Sequence, residues 1–335
     1  MRREGGKMKR RIKGMVTRSR FVRGVFLALL GGVGWAFSGT CAEFLFEEFA
    51  VRTDWLTAVR MTVSGVLFIL LALAIDRKRL FAAARSKRSL VGFFLFGMFG
   101  IMFCQFTYFT AISYTDSGTA TVLSMIGLAI IMLYNARISH RMPRKREITG
   151  LCLTLIGVFL IATQGDVSKL AIPLPGLVWG LAAALGQAFY NLIPTRLIGR
   201  WGSIVTIGMG MLMGGLLMCV IVQPWIDPMP LTPASLLGFS GCVVIGTLIA
   251  SWAYMQAISD IGPVKASLIA AVEPVAATIF TAVGLGTYFP SIDLVGFACI
   301  IAMVLMVSSK SSSKEDGIHD DAEYAPAEPD AKGVA

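Results

Sequence analysis

The chain has 335 residues, of which 56% are hydrophobic and 15% charged, and its 30 Lys and Arg against 20 Asp and Glu give a formal net charge of +10. A soluble domain of this length needs far more polar surface than those charges supply, which excludes that class. The basic residues cluster between apolar runs, so they are read as membrane-protein loops against anionic lipid headgroups and not as a nucleic-acid surface.

Residues 1–22 form a basic segment carrying Arg2, Arg3, Lys7, Lys9, Arg10, Arg11, Lys13, Arg18 and Arg20. Ten apolar runs of bilayer length follow. They lie near Arg23–Phe46, Thr53–Ile75, Leu90–Ser113, Gly118–Ile138, Ile148–Gln164, Leu174–Leu197, Ser203–Pro224, Ala234–Ile258, Pro263–Gly286 and Ser291–Val307. The first run is kept as a helix and not read as a leader, because Ser38, Gly39 and Thr40 before Cys41 lack the Leu of a lipoprotein site. Residues 308–335 turn to Ser, Asp, Glu, Pro and Ala, which predicts a disordered acidic tail.

The stretch Ser89–Val158 is repeated at Ser235–Val304, at a constant offset of 146 residues. YFTAIS at Tyr108 to Ser113 answers YMQAIS at Tyr254 to Ser259, and Gly92, Gly100 and Gly150 answer Gly238, Gly246 and Gly296. Upstream the offset is 152, pairing Gly24, Gly34, Ala36 and Phe37 with Gly176, Gly186, Ala188 and Phe189. The chain therefore divides into two copies, residues 23–164 and 174–307.

Lys and Arg are retained on the cytoplasmic side of short loops. The N-terminal segment, the loop Asp76 to Ser89 and the loop Arg137 to Arg146 are densely basic, whereas the intervening loops hold Glu47, Glu48 and Asp54, then Asp116, then Asp166 and Lys169, and later Asp227. Both termini are accordingly predicted to be cytoplasmic in a multi-pass protein of the cell membrane. Five helices per copy, an odd number, put the second copy in the opposite orientation. The expected fold is thus an all-α integral membrane protein with ten transmembrane helices in two inverted repeats, an architecture suited to alternating access.

All six cysteines fall inside apolar runs without metal-ligand spacing, and the two histidines, His140 and His319, lie in a loop and in the tail. No metal or other cofactor is expected. Glycines such as Gly31, Gly32 and Gly34, or Gly210 and Gly214 in GxxxG spacing, predict close helix packing.

Polar groups inside the hydrocarbon region are costly unless they face a cavity or a partner. Glu273 is the sharpest candidate, near the middle of the ninth helix and directly before Pro274, which frees the Ala270 carbonyl and should kink that helix. It reads as a substrate-binding or proton-carrying carboxylate, or as a carboxylate that holds the kink. Arg60 lies about 9 Å into the second helix and Glu43 at a similar depth in the first. They read as an ion pair that gates or as packing groups. Trp35 and Ser38 on the first helix are mirrored by Gln187 and Tyr190 on the sixth, followed by Asn191; Gln105 and Tyr108 on the third are mirrored by Ser251 and Tyr254 on the eighth, beside Trp252 and Gln256. A cavity lined by such aromatic and hydrogen-bonding groups suits a small amphipathic or aromatic metabolite, while each member alone also fits interfacial anchoring or helix-to-helix bonding.

Over residues 22 to 308 the chain resembles the drug/metabolite transporter superfamily, specifically its EamA-type members. The resemblance is carried by WAF at Trp35 to Phe37, Arg60 within LTAVR, TAIS and the small residues from Thr110 to Ala120, QAIS and GPVKAS with the Glu273/Pro274 pair, and GLCLTLIGVFLI from Gly150. It implies a solute carrier of the inner membrane, often an exporter of amino acids or other metabolites, with a central cavity between two halves. One departure stands out. Where the family commonly has a Glu after the fourth and ninth helices, this chain has Arg141 and Thr287.

The resulting expectation is a secondary transporter of a small organic metabolite, coupled to the solute's own gradient or to protons through Glu273. No phosphate-binding Gly-rich loop for direct ATP drive is present. Two other classes stand beside it: a regulatory or assembly relative that keeps the fold without transport, to which the two missing Glu positions point, and a membrane-embedded enzyme, against which the lack of intramembrane His and paired acids argues.

Overall fold

The computed structural model describes residues 2–114, 117–138, 142–143, 145–163, 173–285 and 291–308. Asp116, Asp166, Lys169, Arg141, Thr287, both histidines and the tail beyond residue 308 lie outside the described residues. The regular elements among them are helices, with no strand among the described residues.

In the first half, α1 spans Arg2–Phe49, so the predicted basic segment and the first apolar run form one helix of 48 residues. Helix α2, Thr53–Ile75, matches its prediction. The basic stretch after it, expected as a loop, is a short helix, α3 (Arg77–Arg85), capped by the Asp76 side chain on the Arg79 N–H. Its Leu80 and Ala83 are buried and its Arg and Lys side chains exposed. Then α4 (Lys87–Leu95) runs through a π-helical segment at Phe96–Met102 into α5 (Phe103–Tyr114), giving one apolar rod from Lys87 to Tyr114. Helices α6 (Ser117–Ile138) and α7 (Lys145–Thr163) complete this half.

The second half repeats the series as α8 (Leu174–Leu192), a short α9 (Thr195–Trp201), α10 (Ser203–Val222), and α11 (Pro233–Val243) continuing through a second π segment at Val244–Ile249 into α12 (Ala250–Ile261). Gly262, at φ 81°, ends α12 in a conformation other residues adopt only at a cost, and Pro263 opens the next helix. The ninth apolar run is not one helix. It is α13 (Pro263–Ala270) and α14 (Glu273–Leu285), parted at Ala271 and Val272, because Pro274 has no N–H to offer the Ala270 carbonyl. Helix α15 is Ser291–Ser308.

Six stretches among the described residues are long and apolar enough to cross a membrane: Ser19–Phe49, Thr53–Ile75, Lys87–Tyr114, Leu174–Trp201, Ser203–Val222 and Pro233–Ile261. The other four predicted runs correspond to α6, α7, the α13 and α14 pair, and α15.

Neighbours are drawn from opposite halves. Helix α2 packs along α10, α7 along α15, α1 on α12, α5 on α8, α6 on α8, and α1 on both α13 and α14. Exchanging each helix for its sequence counterpart leaves this set unchanged. Individual glycine contacts follow the same rule. A Cβ added at Gly34 would lie 2.7 Å from Ala250 Cβ, and one at its counterpart Gly186 would lie 2.6 Å from Cys104 Cα, where 104 is the counterpart of 250. Gly92 likewise abuts Leu197 as Gly238 abuts Leu45. Small residues at both positions let the backbones approach where a larger side chain would hold them apart.

Candidate functional site

Arg60 is buried at the middle of the bundle, with 3% of its surface exposed. One Nη donates to Ser38 Oγ on α1 at 3.2 Å, the other to Gln105 Oε1 on α5 at 2.6 Å. The guanidinium carbon stands 4.9 Å from the centre of the Phe109 ring. Gln105 and Phe109 are four residues apart, so one face of α5 supplies both the amide and the ring. These hydrogen bonds go to neutral acceptors, not to a carboxylate. Glu43, beyond Ser38 on α1, is half-buried and has a partner.

Trp35 stands one turn from Ser38 on the same face of α1. Its ring lies 4.6 Å from that of Tyr254 on α12 and 5.8 Å from that of Tyr190 on α8, and the two tyrosines stack at 6.2 Å. Both tyrosines are buried, while Trp35 keeps part of its surface open. The Tyr254 hydroxyl donates to Asn191 Oδ1. Asn191 in turn donates from Nδ2 to the Gln187 carbonyl at 2.7 Å, and the Gln187 side-chain oxygen accepts from Cys104 Sγ at 3.5 Å. Helices α1, α5, α8 and α12 thus converge on one aromatic and amide cluster.

Glu273 opens α14, half-buried, at the break produced by Pro274. It is close enough to Cys104 and Tyr254 to act on both electrostatically, which puts its carboxylate on the side of the aromatic cluster. The freed Ala270 carbonyl faces α1: a Cβ at Gly32 would come within 2.6 Å of that oxygen. The break is therefore packed against the helix that carries Trp35 and Ser38.

Other expected members go elsewhere. Gln256 accepts from Ser203 Oγ at 2.9 Å and donates to Asp260 at 3.3 Å, and Asp260 holds Arg23 through two bonds of 2.8 and 2.7 Å. This network ties Arg23 of α1 and the start of α10 to the end of α12, away from Trp35. Trp252 packs on the core cluster around Tyr254. Tyr108 lies against Phe109 in the cluster built on Trp55, Leu45 and Met229, nearer the opposite end of the bundle, and has a partner there. Sequence reasoning named Tyr254 only as the counterpart of Tyr108, and it passed over Phe109 and Cys104 as site members, whose roles depend on contacts between distant helices.

The two halves each match the model of the EamA-like transporter family, at residues 22–163 and 174–309. A protein of Salmonella typhimurium (strain LT2) named "Uncharacterized inner membrane transporter YicL" is 28% identical over 289 residues, covering 86% of this chain and 96% of that one. A solved structure described only as a crystal structure of a protein shares the fold, with a TM-score of 0.69 at 16% identity over 84% of this chain and 95% of that one.

Proposed function

The chain belongs to the EamA-like transporter family, and from that premise we propose that it is a secondary transporter moving a small organic metabolite by alternating access, an amino acid or related solute in the direction of export. In this reading ten helices cross the inner membrane, the location in the relative's name, as two inverted five-helix repeats at residues 23–164 and 174–307, with both termini cytoplasmic. The exchangeable helix pairs and glycine contacts support it, as do the basic loops of the first half. Two copies that pack by the same rules can trade conformations, which is what opening to alternate sides requires.

The observation that carries the reading is the meeting of Trp35, Tyr190 and Tyr254, from both halves, beside Arg60 and Glu273. Aromatic surface with a few polar groups binds a small amphipathic solute and orients it. Glu273, at a helix break inside the bundle, is the group through which a proton could be exchanged for the solute.

Reconstituted into proteoliposomes, the protein should exchange internal for external labelled amino acid or organic acid without ATP, and an imposed pH gradient should change the rate. Glu273→Gln should remove the response to the gradient and lower flux by about tenfold, the factor that about 1.4 kcal/mol of lost interaction makes. A carrier that keeps its full pH response in Glu273→Gln would sink the proton role, and no exchange of any solute would sink the transporter reading.

A further inference from the structure

The Nε–H of Arg60 is buried and donates to nothing, and the two acceptors that its other nitrogens reach, Ser38 and Gln105, carry no charge. A guanidinium so placed is costly to bury, and the cost is recovered where an anion completes it. On the same face of α2, one turn along, Ser64 also keeps a buried hydroxyl with no partner. If Arg60 served only to join α1, α2 and α5, its third donor would be expected to find a protein acceptor too.

The surroundings say what kind of anion fits. Ser38, bonded to the guanidinium, is one helical turn, about 5 Å, from Trp35 along α1. Trp35 remains partly open beside two buried tyrosines. A charged fork and an aromatic wall therefore stand one small molecule's length apart. The second half offers no equivalent, because α10, the counterpart of α2, contains no Lys or Arg.

We propose that Arg60 recognises the carboxylate of the transported solute, whose aromatic or apolar body lies against Trp35. This rests on the transporter reading above and names the charge class taken by that site. The Nε–H and a neighbouring Nη–H present a side-on pair of donors, the geometry that matches the two oxygens of a carboxylate, and a bound carboxylate satisfies the free donor and neutralises the cation together.

The test uses the purified full chain and three matched probes: phenylacetate, its neutral amide phenylacetamide, and the cation phenethylamine. In calorimetry phenylacetate should bind about tenfold or more tighter than the amide, the advantage expected of a charge-assisted pair. Arg60→Gln should erase that preference, and Arg60→Lys should restore part of it. Gln105→Glu provides a second route that keeps Arg60 in place. It sets a carboxylate on the guanidinium from within, so acid-selective binding should vanish while the melting temperature holds or rises. Equal binding of acid and amide by the unaltered protein, preference for the amine, or acid selectivity surviving Gln105→Glu would each overturn the proposal. The transporter reading fails separately: proteoliposomes that exchange solutes without acid preference leave that reading standing and remove only the role of Arg60, whereas acid-selective binding without any flux supports Arg60 and removes transport.

Discussion

Glu273 and Gly127 occupy the same position in the two halves, and so do Tyr254 and Tyr108, Ser251 and Gln105, and Gly246 and Gly100. At the glycines the halves behave alike. A Cβ on Gly246 would meet Ser38 on α1, and one on Gly100 would stand 3.5 Å from the Cα of Tyr190 on α8, where 190 is the counterpart of 38. At the polar positions they part. Helix α6 runs unbroken through Gly127, while its counterpart is split before Glu273. Arg60 belongs to the first half alone and Glu273 to the second. Backbone approach is thus duplicated and chemistry is not, which is what the proposed alternating access around one asymmetric solute would require.

The sharpest way to break that comparison is to fill the matched glycines. At Gly246 the added Cβ would sit 2.1 Å from Ser38 Cβ and 3.0 Å from its Cα, atoms that can move only if α1 itself shifts. At Gly100 the nearest atoms belong to the Phe96 ring, 2.6 Å away, which can turn within the same rod. Gly246→Ala should therefore cost about 2 to 3 kcal/mol and lower the melting temperature in detergent, with Gly100→Ala costing about half as much. Because Ser38 is bonded to Arg60, Gly246→Ala should also weaken solute binding, and Gly100→Ala should not. Equal losses of stability and binding would mean that the halves are alike in chemistry as well as in packing.

The Arg23 and Asp260 pair is the next asymmetry. Its sequence counterparts are Pro175 and Tyr114, which cannot form an ion pair, so the α1 and α12 contact has a charged latch that the α8 and α5 contact lacks. Asp260 is nearly covered while Arg23 is largely exposed, which makes the latch weak in stability and more consequential in position. Asp260→Asn frees Arg23 and alters the anchor of Gln256. A single Cys placed at Ser203, beside Gln256, should then react faster with a membrane-impermeant maleimide, by about threefold, for a shift in opening of about 0.6 kcal/mol. Unchanged labelling would assign the pair to surface packing alone.

How much of this was legible depends on how local each cause is. The repeat could be read because glycines and TAIS-like motifs keep their spacing, and the break near Glu273 because proline lacks an N–H wherever it stands. The stretch from Asp76 to Ser89 read as a basic loop because charge dominates it; its helix rests on one cap at Asp76 and on burial of Leu80 and Ala83 under neighbouring helices. Neither π segment had a signal. They arise where backbones crowd: the Gly210 carbonyl would be 2.3 Å from a Cβ at Gly97, and Thr247 turns its hydroxyl to the Cys242 carbonyl five residues back. The partners of Arg60 were equally hidden, since Ser38 and Gln105 lie on two other helices, 22 and 45 residues away.

The smallest expected effect sharpens the comparison from the side of likeness. Trp55 and Trp201 are 146 residues apart and equally buried. Trp55 Nε1 donates to the Pro224 carbonyl just after α10, and Trp201 Nε1 to Ser89 Oγ in the segment that follows α2, both at 2.9 Å. Trp55, in the first turn of α2, thus holds the residue two beyond the end of α10, and Trp201, which closes α9 just before α10, holds Ser89 in the first turn of α4. Trp→Phe at either site removes the donor and keeps most of the ring, so each loses one hydrogen bond and should cost about 1 kcal/mol. The two sites are far apart and share no partner, so the double variant should cost the sum, within about 0.5 kcal/mol. Matching losses in chemical denaturation would mean that the packing rule extends from the glycines to the ends of the bundle; a loss confined to Trp55 would restrict it to the helix crossings, because Ser89 Oγ already bonds Ser86 Oγ at 2.9 Å and keeps that partner when Trp201 is replaced.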